Sequence, residues 1–303
     1  MRKLLAILLL WPALACAQAD PTSRSWNQPV EPFRIAGNLY YVGASDITSF
    51  LIATPEGHIL LDSGFEETVP LIRESMKKLG FRMEDVKVLL NSHAHYDHAG
   101  GLATLKELTG AKLVASAKDA VLLARGGKGD PALGDTLLFK PVQADRIVKD
   151  GETVTLGGST LTAHLTPGHT PGCTSWTMQV DDGGRRRDVV FVCSTTILPG
   201  VVLKGNPKYP EIASDFTRTF QVLESLPCDV FLAAHGSFFD LSEKIERLRK
   251  GAGPNPFIDP QGYKAYVERK KGDFLRQLEA EKAKRVSAPA AARSAPSAAA
   301  PGS

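Results

Sequence analysis

His93-Ala94-His95-Tyr96-Asp97-His98 follows directly on the apolar run Val86-Lys87-Val88-Leu89-Leu90 and the two residues Asn91-Ser92, and Ala99-Gly100-Gly101 comes after it. The run has the length and β-branched content of a buried strand, and the glycines let the backbone turn tightly into the next element. Three of the seven histidines therefore share one loop with an aspartate at a strand end. A His-x-His pair in a tight loop directs two imidazoles at one ion, and Asp97 and His98 can face a second ion beside it. Imidazole nitrogen and carboxylate oxygen are ligands that zinc takes. A single histidine at a strand end is ordinarily a hydrogen-bonded structural residue. Crowding three imidazoles and a carboxylate without a cation is costly, so the cluster reads as a metal centre.

Two further histidines stand at other predicted strand ends. His169 lies in Thr166-Pro167-Gly168-His169-Thr170-Pro171-Gly172 after the strand Leu161 to Leu165, and His235 follows Val230 to Ala233 and precedes Gly236. Loop positions at strand ends are where ligands are presented. The six residues divide into His93, His95 and His169 for one zinc and Asp97, His98 and His235 for another, which leaves an open coordination position on each. His58 and His164 fall inside strand patterns and read as structural.

Before the cluster, short strands are predicted at Leu39 to Val42, Ser49 to Thr54 and His58 to Leu61, the last two joined by the turn Pro55-Glu56-Gly57. A helix is predicted over Thr68 to Leu79, with Leu71, Ile72, Met76 and Leu79 on one face and Gly80 as its stop. A helix at Leu102 to Leu108 and a strand at Lys112 to Ala115 follow. The order then recurs, with strands near Thr153 to Leu156, Leu161 to Leu165, Ser175 to Val180 and Val189 to Val192, a helix near Ile212 to Leu226, the strand Val230 to Ala233, and helices to about Lys282. Strands then helices, twice over, imply two similar α/β halves whose sheets pack on each other with helices outside.

The ends read differently from the body. Arg2 and Lys3, an apolar stretch from Leu4 to Trp11, Pro12 and then Ala13-Leu14-Ala15-Cys16-Ala17 have the three-part layout of a secretory signal peptide, expected over residues 1–19. Cleavage after Ala15, Ala17 or Ala19 satisfies the small-x-small rule equally, and lipidation at Cys16 is not expected because Leu14 sits one place too close to the cysteine. From Val286 to Ser303 the chain is almost wholly Ala, Pro and Ser, and residues 284–303 read as a disordered tail. Residues 20–283 remain as one folded domain. The formal net charge of +3 is carried by the ends, through Arg2 and Lys3 and through Lys284, Arg285 and Arg293. A near-neutral body lacks the concentrated basic face of a nucleic-acid binder, and Arg185-Arg186-Arg187 reads as a solvated hairpin turn. A leader and a near-neutral body together suit a small substrate met in the periplasm or outside the cell, with no membrane attachment after the leader is removed.

Leu60-Leu61-Asp62-Ser63-Gly64, the His93 to His98 cluster, Gly168-His169-Thr170-Pro171-Gly172 and Ala234-His235-Gly236 together resemble the metallo-beta-lactamase superfamily from about Gly37 to Lys282. The resemblance implies an αββα sandwich of two packed mixed sheets with helices outside and a dinuclear zinc site at the sheet edge. Many hydrolases of that superfamily carry a metal-bridging aspartate after the strand that follows the His169-type ligand. In Phe191-Val192-Cys193-Ser194-Thr195-Thr196, Ser194 stands at that place. A serine there, with Asp97, His98 and His235 as ligands, is similar to subclass B3 beta-lactamases, as are Gly205-Asn206-Pro207-Lys208-Tyr209-Pro210 and Leu226-Pro227-Cys228-Asp229-Val230.

That resemblance implies hydrolysis of the beta-lactam amide of antibiotics by a metal-bound hydroxide, with Asp97 orienting the nucleophile. Another dizinc hydrolase of the same fold, a thioesterase or lactonase, is the alternative, since fold does not fix chemistry. Asp62 matches the aspartate that supports the ligand loop by hydrogen bonds in the superfamily; read alone, it is equally an ordinary turn residue before Gly64. Ser194 and Thr196 alternate along one segment, so their hydroxyls are expected on one side, facing the substrate carboxylate. Cys173 begins one predicted strand and Cys193 ends another, and some subclass B3 enzymes have such a bridge, so these two are expected to pair. Cys228 is left as a small apolar residue.

Overall fold

The computed structural model describes residues 21–251 and 253–287. The expected signal peptide and residues 288–303 of the expected tail lie outside the described residues. The chain starts with helix α1 (Pro21–Trp26), then runs through four strands joined by short turns: β1 (Phe33–Ala36), β2 (Leu39–Tyr41), β3 (Phe50–Thr54) and β4 (Gly57–Leu61). Helix α2 (Val69–Lys78), strand β5 (Val86–Leu90), helices α3 (Tyr96–Ala99) and α4 (Leu102–Thr109), strand β6 (Lys112–Ser116), helix α5 (Ala117–Ala124) and strand β7 (Arg146–Val148) follow. The second half comprises β8 (Thr153–Leu156), β9 (Ser159–Leu165), β10 (Thr174–Asp181), β11 (Arg186–Val192), α6 (Ile212–Ser225), β12 (Val230–Ala233), α7 (Leu241–Lys250) and α8 (Pro260–Ser287).

Strands β1 to β7 form one sheet in chain order, and the other sheet has the order β12-β11-β10-β9-β8. The first is antiparallel from β1 to β4 and parallel from β4 to β7. In the second, β11 and β12 are parallel and the other pairs antiparallel. The period-two alternation of a strand sorts its side chains between two layers. Phe50 and Ile52 of β3 and Leu61 of β4 face the second sheet, where Ala163, Trp176, Met178 and Phe191 meet them, whereas Leu51 and Leu60 face Ile72, Met76, Leu102, Leu105 and Leu123 of the helices on the other side. Phe50 and Phe191 touch edge to face across the two sheets, with ring centroids 5.2 Å apart. On the far side of the second sheet, Phe231 of β12 packs on Tyr263 and Tyr266 of α8. The result is an αββα sandwich.

Two differences from the sequence expectation have simple causes. β1 and β7 are the two edge strands of the first sheet and carry few apolar residues to mark them: Arg34 interrupts β1, and two of the three residues of β7 are exposed. Arg186 and Arg187 are not turn residues, because β11 begins at Arg186 and pairs it with Asp181; the turn comprises residues 182–185. Among the described residues no helix is long and apolar enough to cross a membrane.

The topology decides where loops converge. β4 and β5 are parallel, as are β11 and β12, and β9 points the same way as β11 because each is antiparallel to β10. Residues just beyond the carboxyl ends of these five strands therefore share one edge of the sandwich. Those residues include Asp62, His93, His169, Ser194 and His235.

Candidate metal centre

The ligand loop after β5 is fixed from both sheets. Trp176 Nε1 of β10 donates to the carbonyl of Asn91 at 3.2 Å, and Thr174 N donates to the carbonyl of Ser92 at 2.8 Å. Asp62 sits at φ +60° beyond β4, a left-handed conformation that an aspartate tolerates better than most residues. There its Oδ1 accepts the Ser92 amide at 2.6 Å and the Asn91 side-chain amide at 3.3 Å. Its Oδ2 lies 3.6 Å from His98 Nδ1. Asp62 thus reaches both ends of the His93 to His98 segment.

His93, His95 and His169 each offer a ring nitrogen, and the three nitrogens lie within 4.8 Å of one another. His169 Nδ1 meets the carbonyl of Thr196 at 2.7 Å. A carbonyl only accepts, so Nδ1 carries the proton and Nε2 keeps its lone pair. His93 Nδ1 lies 3.0 Å from the Ser92 hydroxyl, and its buried Nε2 has no hydrogen-bond partner. His95 presents its Nε2 side to Asp130 Oδ2 at 3.3 Å, which leaves Nδ1 for the cluster. Burial and then the neighbouring rings of His98, His169 and His95 hold His93 well below the usual histidine range. Burial, followed by the His95 ring, brings His169 down to about 3. Both rings are therefore neutral at ordinary pH, the form in which imidazole binds metals.

Asp97, His98 and His235 form the neighbouring group. His98 Nε2 and His235 Nε2 are 3.2 Å apart, and Asp97 Oδ2 lies 3.3 Å from the first and 3.5 Å from the second. His235 Nδ1 is taken by Asp46 Oδ2 at 2.8 Å. Burial opposes charge on Asp97, but His98 outweighs it, and the carboxyl is held well below the usual carboxylate range. Burial likewise opposes charge on His98, yet Asp97 and Asp62 push that ring up to about 10.

The donor set fits a metal pair. A trio of converging nitrogens, one of them buried without a partner, lacks only a Lewis acid. Two ring nitrogens facing each other beside a carboxylate are placed to share a cation. The Cys173 and Cys193 sulfurs also approach His93, but they are joined in a disulfide with Cα atoms 6.0 Å apart, so neither is a thiolate ligand.

Residues 42–235, more than half of the chain, match the family described as the Metallo-beta-lactamase superfamily. The chain belongs to that superfamily. Among solved structures, this superfamily member resembles the FEZ-1 metallo-beta-lactamase of Legionella gormanii with 46% identity and a TM-score of 0.83, over 84% of this chain and 98% of that one. It resembles BJP-1, a subclass B3 metallo-beta-lactamase of Bradyrhizobium japonicum, with 41% identity and a TM-score of 0.79, over 86% of this chain and 97% of that one. A curated relative, the hydroxyacylglutathione hydrolase of Hyphomonas neptunium, is 35% identical over 106 residues; the match spans 35% of this chain and about a third, 34%, of the relative's length.

Not every position named from the sequence faces the centre alike. The Ser194 side chain is 2% exposed, and its hydroxyl accepts the Thr196 amide at 3.3 Å. Thr196 lines a small cavity with His169, Pro131, Ile197 and Tyr209, and its buried hydroxyl has no hydrogen-bond partner. Three carboxylates escape sequence reading of this metallo-beta-lactamase fold: Asp46 behind His235, Asp130 behind His95, and Asp119 beneath the ligand loops. Asp130 sits at the end of Gly126-Gly127-Lys128-Gly129, and that glycine-rich run was the one available sign of a functional loop. Burial opposes the Asp130 charge, but the His95 ring and the amides of Leu133 and Ala132 hold its carboxyl below the usual range.

Proposed function

We propose that the chain is a dizinc beta-lactamase of the subclass B3 type that hydrolyses the beta-lactam amide of antibiotics. The similarity to FEZ-1 over 98% of that enzyme carries the reading. Ser194, in place of a metal-bridging aspartate just beyond β11, points the same way. His93, His95 and His169 would hold one ion, and Asp97, His98 and His235 the other. The bound pair supplies water activation near neutral pH and polarises the carbonyl.

The chain's own side chains do the rest. Asp97, besides its place among the ligands, would accept a hydrogen bond from the attacking water and so orient it. Asp62 holds the ligand loop through Ser92 and Asn91, and Asp46 and Asp130 fix the rings of His235 and His95 from outside, as outer carboxylates do for histidine ligands. Ser194 and Thr196 offer hydroxyls to the substrate carboxylate, which lies beside the scissile bond. Residues 1–19 act as a leader for export to the periplasm or medium, residues 20–283 form the catalytic domain, and residues 284–303 follow as a tail whose first four residues, 284–287, continue α8 instead of being disordered.

The deciding experiment follows hydrolysis of a chromogenic cephalosporin by the purified protein, with and without a chelator, beside a glutathione thioester. Chelator-sensitive cephalosporin turnover is expected. Turnover of the thioester alone would move the protein to the thioesterase reading.

A further inference from the structure

Ser116 caps helix α5, its hydroxyl 3.4 Å from the amide of Asp119. A carboxylate in a first helical turn usually faces water, where it complements the helix dipole. Asp119 instead is 2% exposed and turned inward. Its Oδ2 accepts the amide of Ala94 at 3.0 Å and the hydroxyl of Thr170 at 3.1 Å. Ala94 stands between His93 and His95, and Thr170 adjoins His169. One oxygen atom thus joins the two loops that carry the three-histidine set.

The neighbouring contacts tighten the same junction. Ser116 Oγ donates to the carbonyl of Gly172 at 2.6 Å. A Cβ at Gly172 would collide with Ser116 Oγ and with the Asp119 amide and Oδ1, so only glycine lets the His169 loop approach the start of α5 this closely. Asp119 Oδ1 is buried without a hydrogen-bond partner. Burial pushes the carboxyl up to about 7, against the opposing pull of the Thr170 hydroxyl and His95. A proton on Oδ1 leaves the accepting role of Oδ2 intact, so the junction does not depend on the charge.

We infer that Asp119 is a positioning residue for the metal centre, setting the distance between the His93-Ala94-His95 loop and His169 through Ala94 and Thr170. The inference rests on the dizinc reading above. Because the link is made by an accepting oxygen, an amide should serve nearly as well as the acid.

The test uses Zn²⁺ alone as the probe, in competition with a chromogenic chelator, on metal-free protein. Each variant is also made in an Asp97→Ala chain, so that the three-histidine set is measured by itself, and the melting temperature of each metal-free variant is recorded. Asp119→Ala is expected to weaken Zn²⁺ binding on the order of 10- to 100-fold, and Asp119→Asn to leave it within about threefold, the scale seen when outer partners of metal ligands are removed or kept. Thr170→Val, which deletes one of the two links, should fall between them. Asp119→Ala protein that folds and binds Zn²⁺ as tightly as the parent overturns the inference, including the case where only its melting temperature falls. Should Asp119→Ala not fold, unchanged affinity in Thr170→Val overturns it instead. Failure of the parent chain to bind Zn²⁺ at all would strike the dizinc reading, an outcome separate from any difference between variants.

Discussion

Asp46 Oδ2 lies 2.8 Å from His235 Nδ1 across 189 residues of chain. The loop that carries Asp46 is pinned to the His235 loop by the Gly236 amide, which donates to the Asp46 carbonyl at 2.7 Å, and by the Thr48 hydroxyl, which donates to Ala233 at 2.8 Å. Burial opposes charge on Asp46, but the His235 ring and the Ser237 amide hold its carboxyl below the usual range. An ionised acceptor on Nδ1 fixes the tautomer that turns Nε2 toward Asp97. Asp46→Ala should therefore weaken the second Zn²⁺ by about 10- to 100-fold, with the three-histidine affinity unchanged. Stepwise chelator competition measures both, and equal loss at the two positions would contradict the assignment.

The contrast between Asp46 and the His93 to His98 segment explains what the sequence makes readable. Four potential ligands within six residues announce themselves without any knowledge of the fold, and His169 and His235 become readable because each ends an apolar strand and meets glycine. Asp46 does neither. It follows Gly43-Ala44-Ser45 as an ordinary polar loop residue, and its partner is set by tertiary contacts between the two loops, among them the bridge between Ile47 and His235. Asp119 is concealed for another reason, since serine three residues before an acid is what any helix start looks like. A continuous apolar run such as β3 and an alternating one such as β10 are legible nearly to their ends, whereas β7, with three residues of which two are exposed, owes its existence to pairing with β6.

Metal content provides the second prediction. The purified protein should hold two zinc ions per chain at saturation, and Asp97→Ala should reduce this to one, because Asp97 joins His98 and His235 but is not among the three histidines around His93. Elemental analysis after gel filtration reads this directly. One ion in the parent, with no change on Asp97→Ala, would rule out the dinuclear assignment.

Cysteine chemistry provides the third. Cys173 and Cys193 are bonded and Cys228 is free. Burial, followed by the charge of Asp229, pushes the Cys228 thiol far above its ordinary range, so it should react slowly in the folded protein. Thiol titration of the leaderless chain should find one thiol under denaturing, non-reducing conditions and far slower labelling when folded. Three thiols would refute the bridge.

The pH dependence of stability provides the fourth, for metal-free protein. Asp119 has a folded pKa of about 7 against an ordinary 3.8. The titratable groups facing it are His95 and Asp130. Between those two values the folded state holds a proton that the unfolded chain has released, so stability falls as pH rises. The contribution is full below the unfolded value and is lost as pH passes through the folded one. Asp119→Asn removes this titration. Its stability relative to the parent should climb by up to about 1.4 kcal/mol per pH unit across that window. Urea midpoints at several pH values test this, and a constant difference between the two proteins would show that the carboxyl titrates normally.

Substrate recognition provides the last. A beta-lactam carries a carboxylate beside the scissile ring, and hydroxyl donors to it form charge-assisted bonds worth roughly 1.5 to 3 kcal/mol each. Thr196 has a buried hydroxyl without a partner beside the His169 cavity, while Ser194 already accepts the Thr196 amide. The two positions should therefore differ. Thr196→Ala keeps the backbone carbonyl that holds His169 Nδ1, so zinc content should stay at two while KM rises about tenfold or more with little change in kcat. Ser194→Ala should raise KM less, because Ser194 is buried at the end of β11 whereas Thr196 is half-buried and lines the cavity. The double variant should exceed both. Unchanged KM for several beta-lactams in Thr196→Ala, or the loss of one zinc, would assign this hydroxyl to the architecture of the His169 loop rather than to the substrate.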